Sequence, residues 1–234
     1  MFYGFYGPYP LLLLASLLFS MWASAKVRRT YSIYSKVSNK TGMTGAQAAR
    51  RILDANGLTD VRIELIAGTM TDHYDPSKRI MSLSEEVYST STLAAISIAA
   101  HESGHAIQHK EKYGLLALRN TIAIPVSWAS KLSWIFIIIG IVLTGTAMYI
   151  EGNLLLDIGI IMFAAVVLFH LVTLPVELDA SKRALAQMSE CGIVFKDETA
   201  GARKMLSAAA MTYLAALAAA LVQLIRLLAI RGRN

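Results

Sequence analysis

Apolar side chains gather in four long runs along this chain, separated by polar segments. The first extends from about Phe5 to Ala25, the second from about Ile122 to Tyr149, the third from about Leu154 to Leu174, and the fourth from about Met205 to Ile230. A helix needs about 20 mostly apolar residues to cross the hydrocarbon core of a bilayer. The second and third runs meet that length, and the block Ile135-Phe136-Ile137-Ile138-Ile139 has no polar stripe of the kind a soluble amphipathic helix carries. Together they predict a transmembrane hairpin. Ser207, Thr212, Gln223 and Arg226 interrupt the fourth run. If it crosses, Arg231 and Arg233 lie outside, against the tendency of basic residues to stay on the cytoplasmic side. Either that tendency bends here, or this helix packs against the others without crossing.

The polar segment between the first two runs reads as alternating short elements. Thr44 can cap a helix that continues through Arg50 to Asn56 and ends at Gly57. Val61-Arg62-Ile63-Glu64-Leu65 alternates with period two and predicts a strand. Asp75-Pro76-Ser77-Lys78 carries a turn signature, and Arg79-Ile80-Met81-Ser82-Leu83 predicts a second strand after it. Ser91 or Thr92 can start a further helix that reaches about Lys110.

Composition agrees with the membrane reading: 55% of residues are hydrophobic and 16% charged, against about 45–50% and about 25% in soluble domains. The net charge of +6 is unevenly spread. Lys26, Arg28, Arg29, Lys36, Lys40, Arg50 and Arg51 precede the first acidic residue, Asp54. Because this cluster begins where an apolar run stops, it reads as the cytoplasmic flank of a membrane helix in preference to a nucleic-acid-binding arm. Ala23-Ser24-Ala25 resembles a signal-peptide cleavage site, but a signal peptide carries its positive charge before the apolar core, and here the charge follows it. The expectation is a retained anchor with its N-terminus outside. The single cysteine, Cys191, excludes an internal disulfide.

The chemistry is concentrated in Ile98-Ala99-Ala100-His101-Glu102-Ser103-Gly104-His105-Ala106-Ile107-Gln108. On a helix, residues four apart share a face, with Cβ atoms about 5–6 Å apart. His101 and His105 can therefore present two neutral imidazoles to one zinc ion, at about 2.0–2.1 Å each. Glu102 lies beside that face, placed to accept a proton from a water that zinc has acidified to a pKa of about 7. Gly104 is a poor helix former, which makes sense where another segment approaches closely. His109 continues the spacing but lies two turns from His101, about 12 Å along the axis, too far to join; it reads as solvated or hydrogen-bonded.

A catalytic zinc needs a third protein ligand and one open position. The candidates are His170 within the third run, and Glu177 and Asp179 just after it. The hairpin returns the chain after Leu174 to the side that holds His101, so Glu177 emerges there. Asp179 would point about 200° away from Glu177 on a regular helix, so both cannot face one ion.

With these residues in view, the chain resembles the neutral zinc metallopeptidases of bacterial membranes, the YugP-like family. Thr71-Asp72-His73-Tyr74-Asp75-Pro76, Ala100 to Gln108 and Leu174-Pro175-Val176-Glu177-Leu178-Asp179-Ala180-Ser181 carry the resemblance, which covers nearly the whole chain. It implies a broader likeness to membrane gluzincins of the HtpX and CAAX-protease type, in which a later glutamate is the third ligand; by that likeness Glu177 takes the role. In HtpX-type enzymes an aspartate four residues after the glutamate supports the site, and here Ser181 stands in its place. In gluzincins a histidine or tyrosine often stabilises the oxyanion, which makes His73 and Tyr74 candidates, and the strands around them could form an edge along which a peptide lies.

The expected fold is mainly α and integral to the membrane, with three to four transmembrane helices and a small α+β zincin-like metalloprotease domain. The expected organisation is an anchor over 1–25, a cytoplasmic domain over 26–121, a transmembrane hairpin over 122–174, a cytoplasmic segment with the third ligand over 175–204, and an apolar helix over 205–234. The expected activity is zinc-dependent hydrolysis of membrane or juxtamembrane proteins at a cytoplasm-facing site of the cell membrane. Zn2+ is the expected cofactor, a peptide or membrane-protein substrate and the lipid bilayer are the partners, and no nucleic acid is involved. Non-catalytic zinc binding and metal transport are the alternatives.

Overall fold

A computed structural model describes residues 9–232; the predicted anchor's first residues, Phe5 to Pro8, and Arg233 lie outside that range. The helices and strands follow the sequence signals closely. Helix α1 covers Tyr9–Tyr34 and α2 covers Gly45–Ala55. Thr44 and Gln47 form a reciprocal capping box at the start of α2: the Thr44 hydroxyl accepts from the Gln47 N–H, and the Gln47 side chain accepts from the Thr44 N–H. Gly57 sits just beyond its end with φ +65°, a backbone conformation that glycine adopts without strain.

Three short strands follow, β1 (Arg62–Ile66), β2 (His73–Asp75) and β3 (Ile80–Ser84), in the spatial order β1-β3-β2. β1 and β3 are parallel, while β2 and β3 are antiparallel. The predicted turn forms as drawn, with the Asp75 carboxylate accepting from the N–H groups of Ser77 and Lys78 at 2.9 and 3.1 Å. Met81 and Leu83 alternate onto the buried face of β3. A short helix α3 (Glu85–Ser89) leads to α4 (Leu93–Lys110), whose first turn is capped by the Thr92 hydroxyl.

Three long helices complete the chain: α5 (Gly114–Leu143), α6 (Tyr149–Glu190) and α7 (Thr199–Arg231). The second apolar run therefore divides at Leu143, where Thr144, Gly145 and Thr146 make the turn before α6. The third continues beyond Leu174 without a break: Pro175 lies inside α6. Helices α1, α5, α6 and α7 are each long and apolar enough to cross a membrane. The protein is a mainly α membrane protein with a small α+β part.

The chain divides into two compact units. One contains Ala23–Ala117 and Pro175–Thr212. Its core joins Ile52 and Leu53 of α2, Met81 and Leu83 of β3, Ile96, Ala99 and Ala100 of α4, and Met188 of α6. Each such Leu, Ile or Met contributes about 1.5–3 kcal/mol by leaving water. The other unit contains, among the described residues, 9–22, Leu118–Leu174 and 213–232. Its core is formed by Ile137 of α5, Leu156, Ile160, Phe163 and Val167 of α6, and Leu217, Ala220 and Leu227 of α7. The Arg231 guanidinium grips both oxygens of Asp157 at 2.6 and 3.0 Å. The end of α7 thus lies beside the start of α6, and the two run antiparallel through this unit.

Candidate metal centre

The centre lies in the unit that holds the sheet. Helix α4 is buried on nearly all sides: between Leu93 and Gln108 only Ile98 and His101 are not buried. Its small residues allow this. A Cβ built on Gly104 would lie 2.5 Å from the carbonyl oxygen of Ala180 in α6. The two helices therefore touch backbone to backbone at this point, and the close approach read into Gly104 from the sequence is real.

That crossing sets Glu177 opposite the two histidines. Glu177 Oε2 lies 3.1 Å from His101 Nε2 and 3.5 Å from His105 Nε2. The imidazole rings stand edge to face, with centroids 4.9 Å apart. One ligand atom from each of the three residues falls within 4.8 Å of the others, and among the described residues no fourth His, Cys, Asp or Glu joins them.

Both imidazoles are held from behind. His101 Nδ1 meets Ser181 Oγ at 3.2 Å, and His105 Nδ1 meets Gln108 Oε1 at 3.0 Å. The Nε2 atoms are thus the ones turned toward Glu177. Two imidazoles anchored through Nδ1, with one buried carboxylate and no thiolate, form the nitrogen and oxygen donor set that suits a catalytic zinc ion. The residues fit the metal.

Charge reinforces the arrangement. Burial opposes ionisation of Glu177, yet hydrogen bonds from His101 and His105 hold its carboxyl well below the usual carboxylate range. Burial likewise opposes protonation of His105, but Glu177 and Glu102 outweigh it and raise its pKa. Glu102 is only 8% exposed. Burial pushes its pKa up; His101 and His105 pull it down, and Glu177 and Asp72 push it further up.

Asp179 does not face the histidines. It accepts from Gln108 Nε2 at 2.8 Å and from Arg183 Nε, and Arg183 also reaches Glu111 at 2.6 Å. His170 lies in the apolar unit, beside Phe169. His73 and Tyr74 are not brought into the set of three. His73 is exposed on β2 and its Nδ1 turns back to the Thr71 carbonyl at 2.9 Å. Tyr74, its neighbour on a strand, points to the opposite face and its hydroxyl meets His109 Nδ1 at 2.9 Å. His109 is therefore the hydrogen-bonded residue its spacing suggested. The sequence reading overlooked Gln108. Its signal is a glutamine one turn beyond His105 on the same helix face, within a run of small and apolar residues.

Taken together, the apolar helices and this His–His–Glu cluster define a membrane protein with a site that can hold a metal ion. A family model described as "Putative neutral zinc metallopeptidase" matches residues 9–232, so the chain belongs to that family. It is also similar to a Bacillus subtilis (strain 168) protein named "Putative membrane protease YugP", with 46% identity over 226 residues covering 95% of this chain and 97% of the relative. No solved structure matches the chain.

Proposed function

We propose that this protein is a membrane-embedded, zinc-dependent endopeptidase that hydrolyses peptide bonds of membrane or juxtamembrane proteins. His101, His105 and Glu177 would hold the ion, and Glu102 is the general base. The observation that carries the reading is the meeting of the motif helix α4 with Glu177 of α6, which leaves three ligands and no fourth among the described residues. A structural zinc site closes its fourth position with protein, whereas a catalytic one keeps it open. Zinc, when bound, supplies a Lewis acid that polarises the scissile carbonyl and makes water a nucleophile at neutral pH.

The chain's own residues supply the rest. The Glu102 carboxylate takes a proton from the attacking water and delivers it to the departing amine nitrogen. Burial raises its pKa above the ordinary carboxylate value, the direction that favours a group which accepts and then returns a proton. β2 is one of the two edge strands of the sheet, paired on one side with β3, and a substrate peptide would add along its other edge through main-chain hydrogen bonds. A role for Tyr74 on the developing oxyanion requires its hydroxyl to leave His109; His73 already stands exposed on that strand.

The setting argues for substrates at the membrane. Glu177 follows Leu174, the last residue of the apolar unit's segment, by three positions. The basic cluster from Lys26 to Arg51 supports reading this side as cytoplasmic in a plasma-membrane protein, by the tendency of basic flanks to stay inside. The Asp157–Arg231 pair offsets the charge that α7 would carry to the opposite side.

The test is zinc content and casein cleavage by the purified full-length protein in detergent, for wild type and Glu102→Gln. Both proteins should hold one zinc per chain, and only wild type should cleave. Cleavage by Glu102→Gln would overturn the mechanism. Zinc without cleavage in wild type would favour a non-catalytic zinc-binding protein.

A further inference from the structure

The outer nitrogens of the two histidines are held in different ways. Ser181 Oγ faces His101 Nδ1, and a hydroxyl can donate or accept, so it suits either tautomer of that ring. The partner of His105 has no such freedom. Gln108 is fully buried. Its amide nitrogen spends one N–H on the Val176 carbonyl at 2.9 Å and the other on Asp179 Oδ2 at 2.8 Å. Both partners act as acceptors, so the amide cannot turn over without setting oxygen against oxygen. Gln108 Oε1 must face His105, and His105 Nδ1 must then carry the proton. The lone pair is left on Nε2, the atom directed at Glu177.

The same amide also bridges two helices. Gln108 belongs to α4, and Val176 and Asp179 flank Glu177 on α6. Asp179 is held in turn by Arg183, and Arg183 by Glu111 just past the end of α4. This connected path starts at an exposed glutamate and ends on a ligand-bearing ring.

We infer that Gln108 is the positioning residue of the centre: it fixes the His105 tautomer with Nε2 free to bind metal, and it pins the stretch of α6 that carries Glu177. This rests on the metal reading proposed above. Substituting a residue that supports a metal ligand typically costs about 10–100-fold in affinity, and that range is expected here. Ser181→Ala, which removes a partner of either sense, should cost several-fold less than Gln108→Met.

The experiment is a Co2+ titration of the full-length, metal-free protein in detergent, followed by visible absorption. Wild type should bind one Co2+ per chain, and Gln108→Met should bind it about 10–100-fold more weakly. Gln108→Glu keeps an acceptor for His105 but sets a carboxylate against Asp179. It should therefore also bind weakly, and adding Asp179→Asn should recover a substantial part of the loss by restoring a donor to that contact. The recovery separates positioning from mere damage to the fold, because each further substitution would deepen simple damage. Wild-type affinity in Gln108→Met, or a double variant no better than Gln108→Glu, would overturn the inference. Absence of Co2+ binding by wild type would overturn the metal reading itself.

Discussion

The two units of this protein are both rich in apolar residues, yet they use them in opposite ways. In the unit with the sheet, Ile52, Leu53, Met81, Leu83 and Ile96 are wholly buried, and several buried polar groups are tied into pairs and chains. Asn39 donates to the Met43 carbonyl, Glu198 accepts from the N–H groups of Lys40 and Phe195, and Gln108 makes three hydrogen bonds. In the other unit many large apolar residues face outward around its core: Ile124 is 72% exposed and Ile161 70%. Two of its buried polar atoms, Asn153 Oδ1 and Gln223 Nε2, have no hydrogen-bond partner, against one, Arg50 Nε, among the described residues of the unit with the sheet. Outward isoleucine is costly in water and favourable in lipid. One unit is thus specified by hydrogen-bond connections around a site, the other by shape and a greasy surface. Disturbing each should have separable consequences, and the predictions run from the largest to the smallest.

Removing a ligand should have the greatest effect. Glu177→Ala and His105→Ala should each abolish stoichiometric zinc, measured by elemental analysis of the full-length protein, while leaving helical content by circular dichroism near that of wild type. Zinc retained at one per chain in Glu177→Ala would remove that residue from the site.

The helix contacts come next and set the two units against each other. Gly104→Ala forces a Cβ to within 2.5 Å of the Ala180 carbonyl oxygen, and Gly140→Ala forces one to within 2.6 Å of Leu156 N. Overpacking of this kind costs about 1–3 kcal/mol, so both should lower the melting temperature. Only Gly104→Ala should also weaken metal binding, since only that contact brings α4 to the Glu177 segment. Equal loss of metal affinity in Gly140→Ala would break the distinction between the units.

Proton competition should follow. The metal-free pair of Glu177 with the histidines raises the His105 pKa above its ordinary value of about 6.5, and the ring must shed that proton to bind metal. Metal affinity should therefore fall as pH drops, beginning above 6.5, in isothermal titration across about pH 5.5–7.5, about 1 unit either side of the ordinary value. The stabilisation from this pair in the metal-free protein has the opposite limits. The His105 part is full below its unfolded pKa and lost as pH rises through the folded one. The Glu177 part is full above its unfolded pKa and lost as pH falls through the lowered one.

Tyr74→Phe should be the mildest change, costing about 1 kcal/mol of stability through the lost His109 contact. An accompanying fall in kcat with KM unchanged would instead assign Tyr74 to the oxyanion.

Local signals in the sequence were reliable where a short stretch decides its own structure. Thr44 with Gln47, Thr92, Gly57 and the Asp75 turn fix element ends through contacts a few residues long, and their elements formed within a residue or two of expectation. The histidine pair was legible for the same reason, since helical spacing alone puts both rings on one face. What could not be read was set by contacts distant in the chain. The parallel pairing of β1 with β3 depends on how the sheet meets α2 and α4. Helix α6 runs through Pro175, although proline removes an N–H from the helix ladder. Ser181 shows the limit well: as a departure from the HtpX pattern it left the support of His101 open, and it proves to bond His101 itself. Gln108 was passed over because a glutamine in a helix carries no motif until Val176 and Asp179 are seen beside it.

The central claim is that one metal ion is held by His101, His105 and Glu177, and it is tested most directly by zinc K-edge X-ray absorption on the zinc-loaded full-length protein in detergent. The account predicts a shell of nitrogen and oxygen at about 2.0–2.1 Å containing two imidazoles, lost in Glu177→Ala. A sulfur neighbour at about 2.3 Å, which would bring in Cys191, or a third imidazole, would contradict it.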